Sequence, residues 1–497
     1  MVRAGLWAFA GQGGAQIVNL VLILTLARLL TPEAFGIVAA AQVILRISLS
    51  VVLFGLGDAL IQAEVLTRQT ERTALTLMLG LAFVMSLVIY FAAPLLAELM
   101  NVPELVEIMQ VMLLTFLLSA ATNPSRSLLR REMRFKRIAI AELSSFTLVN
   151  VAVSLTLALL GWSYWALILG TLASSALQAF ILLASRPVRP TLRIQRDECA
   201  RLVNFGGGIF LANLMGNLSQ RVDNLIVAAT LGPTALGYYT RGFALLDMAN
   251  EIFGSAFNLA LFSGFSKLRR NKAAGAERRQ PFLLSQAFAA TLALPIVGLA
   301  LLLADEIVHV ALGQQWGPVV PLVEIFAFGA FFRINLRAAM PVPKSEGRVY
   351  SVALLNVLLA VLVAVGAFSA SSFGLTGIAG AVLGALTIYY ICVVGFALRL
   401  LELNWSAYIG ALWPVFLPAG LASLSAWGGL QWIRSAIDSA TVGSSLLTGG
   451  SVAAAYFLTY GLAFLGLSRQ PIIKKILWVA REVWERPEPT LPQGADL

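Results

Sequence analysis

The sequence predicts an all-α polytopic membrane protein with about 14 transmembrane helices, arranged as two six-helix lobes in pseudo-twofold repeat plus two extra C-terminal helices. Three observations predict it: a composition too apolar for a water-facing fold, a regular series of apolar stretches between charged or Pro/Gly turns, and a turn motif that recurs in the second half. Of the 497 residues, 59% are hydrophobic and 12% charged, against roughly 25% charged in a soluble domain. At ~20 residues per crossing the apolar residues suffice for about fourteen spans. A soluble enzyme, a disordered regulator and a disulfide scaffold are excluded. Cys199 and Cys392 lie far apart and match neither a bridge framework nor a metal spacing.

In chain order, the apolar stretches place helices at 5–30, 35–62, 74–97, 105–122, 138–160 and 164–184. A second set follows at 205–231, 236–265, 282–304, 317–338, 349–370 and 373–398, then two more at 408–432 and 446–468. The first stretch is too long for a signal-peptide core and has no small-residue exit site, so it is expected to remain as a span. These boundaries give a first lobe at 1–200, a second at 201–400, an additional helix pair at 401–470, and an interfacial helix with a disordered tail at 471–497. Within that tail, Ile472, Ile473, Ile476, Leu477, Val479 and Val483 interleave with Lys474, Lys475 and Arg481, a pattern suited to an anionic lipid surface.

Lys and Arg gather on alternate connections. Of the 35 basic residues, all except Arg28, Arg46, Arg221, Arg241, Arg333 and Arg434 fall on one side of this alternation. The opposite turns, such as Thr31-Pro-Glu33, Gly161-Trp-Ser-Tyr-Trp165 and Ser369–Phe373, hold almost none, with Arg434 the one clear exception. By the positive-inside rule the basic side is cytoplasmic. Both termini are then cytoplasmic and the number of crossings is even: fourteen, or twelve if the last pair does not cross. No connection is long enough for a folded extramembrane domain.

Leu30-Thr-Pro-Glu-Ala-Phe-Gly36 and Leu231-Gly-Pro-Thr-Ala-Leu-Gly237 share L-x-P-x-A-x-G, each at the turn after the first helix of its half. Six spans separate the copies, so the halves have the same orientation, a parallel repeat about the membrane normal.

Ionisable residues inside spans are costly, at least ~2.5–3.5 kcal/mol each at mid-bilayer, unless they meet water or a partner. Arg46 sits near the centre of the second stretch; Arg221 and Asp223 lie mid-way along the seventh, among Asn213, Asn217, Gln220 and Asn224. The eighth carries Arg241, then Asp247 and Glu251 one turn apart. Arg333 approaches the inner end of the tenth, and Asp58 and Glu142 lie near cytoplasmic ends. Arg46, Arg221, Arg241, Asn217, Asn224 and Arg333 are the candidate substrate-binding residues of a hydrated cavity. Asp223, Asp247 and Glu251 are candidate ion-coupling groups, because two neighbouring acids repel when both are ionised and one then holds a proton.

Other chemistries lack their residues. There is no Gly-x4-Gly-Lys-Ser/Thr phosphate loop, and His309 is the single histidine. Gly11-Gln-Gly-Gly14 and Gly206-Gly-Gly208 follow no strand, which rejects a nucleotide fingerprint. No catalytic residue, metal site or cofactor is expected. The basic loops are poor in aromatics and read as topology signals, not nucleic-acid contacts.

Several segments carry a family resemblance: the turn at Leu30–Gly36, Phe54-Gly-Leu-Gly-Asp-Ala-Leu-Ile-Gln62, Arg126-Ser-Leu-Leu-Arg-Arg-Glu-Met-Arg-Phe-Lys-Arg137, Asn217-Leu-Ser-Gln-Arg-Val-Asp-Asn-Leu-Ile226, and the turn at Leu231–Gly237 continued to Arg241. In this order they resemble the bacterial polysaccharide-transport family, the Wzx-type lipid-linked oligosaccharide flippases of the multidrug/oligosaccharidyl-lipid/polysaccharide superfamily. The similarity runs through roughly the first 270 residues; beyond them only the hydropathy pattern agrees. The resemblance implies two six-helix bundles and ATP-independent movement of polyprenyl-pyrophosphate-linked oligosaccharides between leaflets, serving lipopolysaccharide or exopolysaccharide synthesis. Membrane lipids, H+ or Na+, a polymerase and a chain-length regulator are the implied partners. It also implies a cationic lumen, for which Arg46, Arg221 and Arg241 are suited, with Asp223, Asp247 and Glu251 diluting the field. Two alternatives stand beside it: a cation-coupled drug antiporter of the same superfamily, which would want an acid-dominated lumen, and a membrane polysaccharide polymerase or ligase, which would want a large outward catalytic loop.

Overall fold

Every regular element among the described residues of the computed structural model is helical. The structure describes residues 18–191, 196–270, 275–436, 442–467 and 470–476, with backbone alone over 248–277. The first helices are α1 (Val18–Leu29), α2 (Pro32–Leu53), α3 (Leu56–Gln62), α4 (Arg68–Leu99) and α5 (Leu105–Arg131). Then α6 (Phe135–Ser144) runs through a π turn into α7 (Val151–Leu159), followed by α8 (Ser163–Ser185), α9 (Arg196–Ser219) and α10 (Val222–Arg270). The remainder is α11 (Gly275–Leu302), α12 (Ala304–Ala311), α13 (Val320–Ala339), α14 (Pro341–Ser345), α15 (Val349–Ser369), α16 (Gly374–Leu400), α17 (Trp405–Ala436) and α18 (Val442–Gly466).

Among the described residues, 11 helices are long and apolar enough to cross a membrane, and α1 is a shorter apolar helix. The seventh and eighth predicted spans, carried by α9 and α10, are not among the eleven. Length and composition therefore support a polytopic all-helical protein without reaching the full fourteen. Large apolar side chains such as Phe83 and Phe91 on α4 are 62% and 72% exposed, as a lipid-facing surface requires.

The chain divides into two compact units. Unit 1 is Met1–Arg241 with Ala311–Val319 and Asn356–Val382; unit 2 is Gly242–Val310, Val320–Leu355 and Leu383–Leu497.

Local chemistry sets the helix ends. Thr31 caps α2 by accepting from the Ala34 amide at 3.3 Å, with Pro32 at the first helical position. Thr67 and Thr70 form a reciprocal capping box at the start of α4. Two consecutive left-handed residues, Phe54 (φ 44°) and Gly55 (φ 66°), separate α2 from α3. The sequence predicts one continuous helix from 205 to 231; the structure breaks it at Gln220–Arg221. The cause is local: Ser219 Oγ donates to the Met215 carbonyl at 2.6 Å, Gln220 Nε2 to the Gly216 carbonyl at 3.3 Å, and Asp223 Oδ1 accepts from the Asn224 amide at 2.8 Å. Side chains that bond the backbone compete with the helix ladder. Gly232, at φ 81° and ψ −178°, then turns the chain before Pro233, a conformation open essentially to glycine alone.

In unit 1 the basic end is pinned by its own arginines. Arg131 Nη1 donates to the carbonyls of Leu60, Ile61 and Ala63 at 3.0, 2.9 and 2.6 Å, capping the end of α3. Arg186 bridges Glu71 at 2.7 Å and Glu132 at 3.0 Å. Burial alone would pull the Arg186 guanidinium down, but its two carboxylates outweigh that and hold it above its usual value. Of the predicted interfacial segment, Pro471–Ile476 is described: it is helical, with Ile473 and Ile476 buried. Residues 477–497 lie outside the described residues.

Candidate substrate site

A cavity of about 320 Å³ opens inside unit 1 where α2, α3, α5 and α9 meet. Arg46 enters it from α2, Asp58 from α3, Arg126 and Arg130 from α5, and Asn213 and Asn217 from α9. Ser50, Asn123 and Ser127 complete its polar wall. The kink at Phe54–Gly55 brings α2 and α9 together: a Cβ on Gly55 would stand 2.5 Å from the Gly206 carbonyl oxygen, and one on Gly206 would stand 2.6 Å from that of Phe54. Gly57 is fixed by the site itself, because a Cβ there would lie 2.2 Å from Asn123 Oδ1. That oxygen is buried and has no hydrogen-bond partner among the described residues.

Three guanidinium groups against one lining carboxylate make the cavity cationic. Arg126 is partly balanced from outside by Glu142 at 3.4 Å. Asn217 Nδ2 donates to Ser50 Oγ at 2.8 Å, and Ser50 Oγ donates to the Arg46 carbonyl at 3.1 Å, which joins α9 to α2 beside the arginine. Arginine forks suit phosphate or carboxylate oxygens, and the surrounding amides and hydroxyls suit sugar hydroxyls.

Of the predicted site residues, Arg46 and Asn217 meet in this cavity. Arg221 lies in the break between α9 and α10. Asp223 and Asn224 follow it, both buried, and Asp223 Oδ2 accepts from the Tyr239 hydroxyl at 2.9 Å. Arg241 lies over the Phe35 ring, 4.9 Å from its centroid, a cation–π contact. Its Nε is buried without a hydrogen-bond partner among the described residues. In unit 2, Asp247 faces Arg333 at 3.8 Å, and that guanidinium also sits 4.2 Å over Phe243. Asp247 thus stands against a cation, and the side chain of Glu251 lies outside the described residues.

Arg126 and Arg130 were assigned by the sequence to topology alone, and Asn123 and Ser127 went unnoticed. The signal was present: Asn123, Arg126, Ser127 and Arg130 recur at i, i+3, i+4 and i+7, one polar face of a helix. Ending that helix at 122 hid it; α5 runs on to Arg131.

At the other end of unit 1 the repeated turns meet. A Cβ on Gly36 would lie 1.7 Å from the Pro233 carbonyl oxygen, and one on Gly237 would lie 1.9 Å from that of Pro32. The contact is reciprocal, each copy of L-x-P-x-A-x-G placing its glycine on the proline of the other. Side-chain-free approach of the two backbones is what the motif conserves between its copies, and it accounts for the spacing of proline and glycine in both.

Comparison with known proteins agrees with these features. The chain is similar to the succinoglycan biosynthesis transport protein ExoT of Rhizobium meliloti, 24% identical over 343 residues, 69% of this chain and 68% of that protein. It is similar to the lipopolysaccharide biosynthesis protein WzxC of Escherichia coli, 21% identical over 321 residues, 63% of this chain and 64% of that protein. Its fold is similar to that of the lipid II flippase MurJ in an inward closed conformation, with a TM-score of 0.74 at 12% identity, covering 94% of this chain and 100% of that one. An inward-facing multidrug resistance MATE family transporter of the MOP superfamily matches with a TM-score of 0.59 at 16% identity, over 78% of this chain and 94% of that one. The family described as polysaccharide biosynthesis protein matches residues 25–321. With more than half its length covered by that match, the chain belongs to the polysaccharide biosynthesis protein family.

Proposed function

We propose that this protein is a flippase that carries polyprenyl-pyrophosphate-linked oligosaccharide units from the inner to the outer leaflet of a bacterial inner membrane by alternating access. The observation that carries the reading is the cavity of Arg46, Arg126 and Arg130 walled by amides and hydroxyls inside a membrane-embedded unit. Guanidinium groups converging on an open cavity draw an anion, and a glycosylated pyrophosphate offers both phosphate oxygens and hydroxyls. The similarity to ExoT, a succinoglycan biosynthesis transport protein, and to WzxC, a lipopolysaccharide biosynthesis protein, supports the same substrate class, and the MurJ-like fold is compatible with it.

The mechanism follows from where the groups stand. Arg46, Arg126 and Arg130 bind the phosphates, Asn213 and Asn217 hydrogen-bond the adjoining sugar, and the polyprenyl tail stays in lipid. Arg241 is a second anion-binding cation, and Arg221 and Arg333 extend the same role. Asp223, Asp247 and Glu251 are the proposed sites for a coupling H+ or Na+. The lobes 1–200 and 201–400 rock about the repeat axis, with 401–470 as an accessory pair and both termini cytoplasmic. The protein supplies no covalent chemistry, and it delivers its cargo to a polymerase and chain-length regulator. A drug antiporter would need acids where this cavity has arginines.

Deletion of the gene followed by lipid extraction tests the proposal. Accumulation of polyprenyl-linked oligosaccharide in the cytoplasmic leaflet is the expected result. Normal translocation with blocked chain growth would instead identify a polymerase.

A further inference from the structure

The segment between α12 and α13 packs in unit 1, far in sequence from everything it touches. Trp316 is fully buried there, and its Nε1 donates to the Ala27 carbonyl at 2.8 Å. Gln315 Nε2 donates to the carbonyls of Ala27 and Leu30 at 2.7 and 3.1 Å. These oxygens end α1 and have no helical partner of their own, so two adjacent side chains serve as its C-terminal cap. The Trp316 ring meets the edges of Phe35 and Tyr238, with centroids 5.5 and 5.9 Å away at near-perpendicular angles. Phe35 in turn carries the Arg241 guanidinium on its face. An unbroken line of contacts therefore runs from a loop at the charge-poor end to an arginine with an unengaged Nε.

We propose that Trp316 is a positioning residue that sets Arg241 through Phe35, so that this anion-binding cation is in place only while the charge-poor end is shut. The proposal rests on the reading of Arg241 as a substrate-binding group. Both donors of the plug lie on one short segment, so they leave or seat together. Once withdrawn, the Ala27 and Leu30 carbonyls need water, which gives the plug two discrete states, dry and seated or wet and open. In the open state Phe35 loses the aromatic edge that fixes it, and Arg241 loses its platform. Substrate is then gripped when the outer end is sealed and released when it opens. By reciprocity, whatever holds Arg241 in place also favours the seated plug.

The test uses full-length protein in lipid nanodiscs with Cys199 and Cys392 replaced. Two rates are read: maleimide labelling of the cysteine in Val319→Cys, a position buried in the plug segment, and phenylglyoxal modification of Arg241 by mass spectrometry, with exposed Arg189 as internal control. Trp316→Ala raises both rates about fivefold or more. Trp316→Phe keeps the ring, loses the Nε1 donor and raises both less. Phe35→Leu raises Arg241 modification but leaves Val319→Cys labelling near its starting rate, because the plug's hydrogen bonds remain. Should Trp316→Ala not fold, Trp316→Phe and Phe35→Leu make the same comparison. Faster Val319→Cys labelling with unchanged Arg241 modification would overturn the proposal, as would a Phe35→Leu variant with Arg241 unaffected. Neither readout involves substrate, so failure of the flippase reading would show separately, as normal translocation in the deletion strain.

Discussion

Arg126 and Arg131 leave the same helix end and do different work. Arg131 spends one nitrogen on three carbonyls at the end of α3, whereas Arg126 lines the cavity and has Glu142 as its counter-charge. Arg131→Ala is accordingly expected to cost folding stability, about 1.5–3 kcal/mol for a charged hydrogen-bonding group, seen as a lower midpoint of thermal unfolding in detergent. Arg46→Ala and Arg126→Ala should keep the midpoint and lose transport. Removing one charged contact to phosphate weakens binding by about tenfold or more, and Arg46→Lys should recover only part of it because an ammonium lacks the bidentate fork. Leaflet-specific extraction of lipid-linked oligosaccharide in complemented deletion strains measures this. At this scale the sequence was half legible. Arg46 stood out because a charge deep in an apolar stretch is rare. Arg126 and Arg130 were camouflaged, since a basic residue at a helix end is equally a topology signal, and only the fold distinguishes a guanidinium that caps a helix from one that faces a cavity.

Hydropathy located most of the long helices, with ends nine residues out at α5 and α9, and it failed where polar side chains intervene. Asn217, Ser219, Gln220 and Asp223 lower the apolar character of the seventh stretch and also break its helix. The same residues that carry candidate chemistry thus lower the apolar character of α9, which is not among the helices recognisable as spans. Glycines separate two further physical cases. Gly232 has a positive φ of 81° with nothing within 4 Å of an added Cβ, so Gly232→Ala meets backbone strain only, of order 1–3 kcal/mol. Gly36 and Gly237 have ordinary backbones but no room, with a carbonyl oxygen 1.7 or 1.9 Å from the added carbon. Gly36→Ala and Gly237→Ala should therefore prise the two turns apart at the charge-poor end while the helices persist. Helical content by circular dichroism stays constant in both, and maleimide labelling of Ala34→Cys, buried at that turn, rises. A Gly36→Ala variant with labelling unchanged would show that the turns do not form the seal. The repeat was visible in sequence as L-x-P-x-A-x-G; its purpose, backbone against backbone across the two copies, needed coordinates.

For the molecule as a whole the sequence makes orientation a matter of which end collects the basic residues, and Arg434 contradicts the pattern. The structure supplies the reason it is tolerated: within unit 2 its Nη2 pairs with Glu306 at 2.7 Å, and Glu306 is 7% exposed. The pair satisfies the guanidinium locally, and one arginine is outweighed by the basic residues collected at the other end, since the rule counts Lys and Arg on short connections and gives acids little weight. Arg131, Arg134, Lys136, Arg137 and Arg186 all stand at that other end, Arg131 on neutral carbonyls and Arg134 and Arg186 on Glu132. Two consequences follow for an intact cell. A fluorescent protein fused after Leu497 should mature and fluoresce, while alkaline phosphatase inserted at the exposed turn Gly161–Trp162 should be active outside the membrane. Glu306→Ala removes the buried carboxylate and leaves Arg434, whose side chain is 40% exposed, without its partner, costing about 1 kcal/mol. Expression and thermal midpoint should fall, and the double variant Glu306→Ala/Arg434→Ala should recover much of both, with the phosphatase readout unchanged. A double variant no more stable than Glu306→Ala alone would mean that Glu306 holds α12 by contacts other than this ion pair.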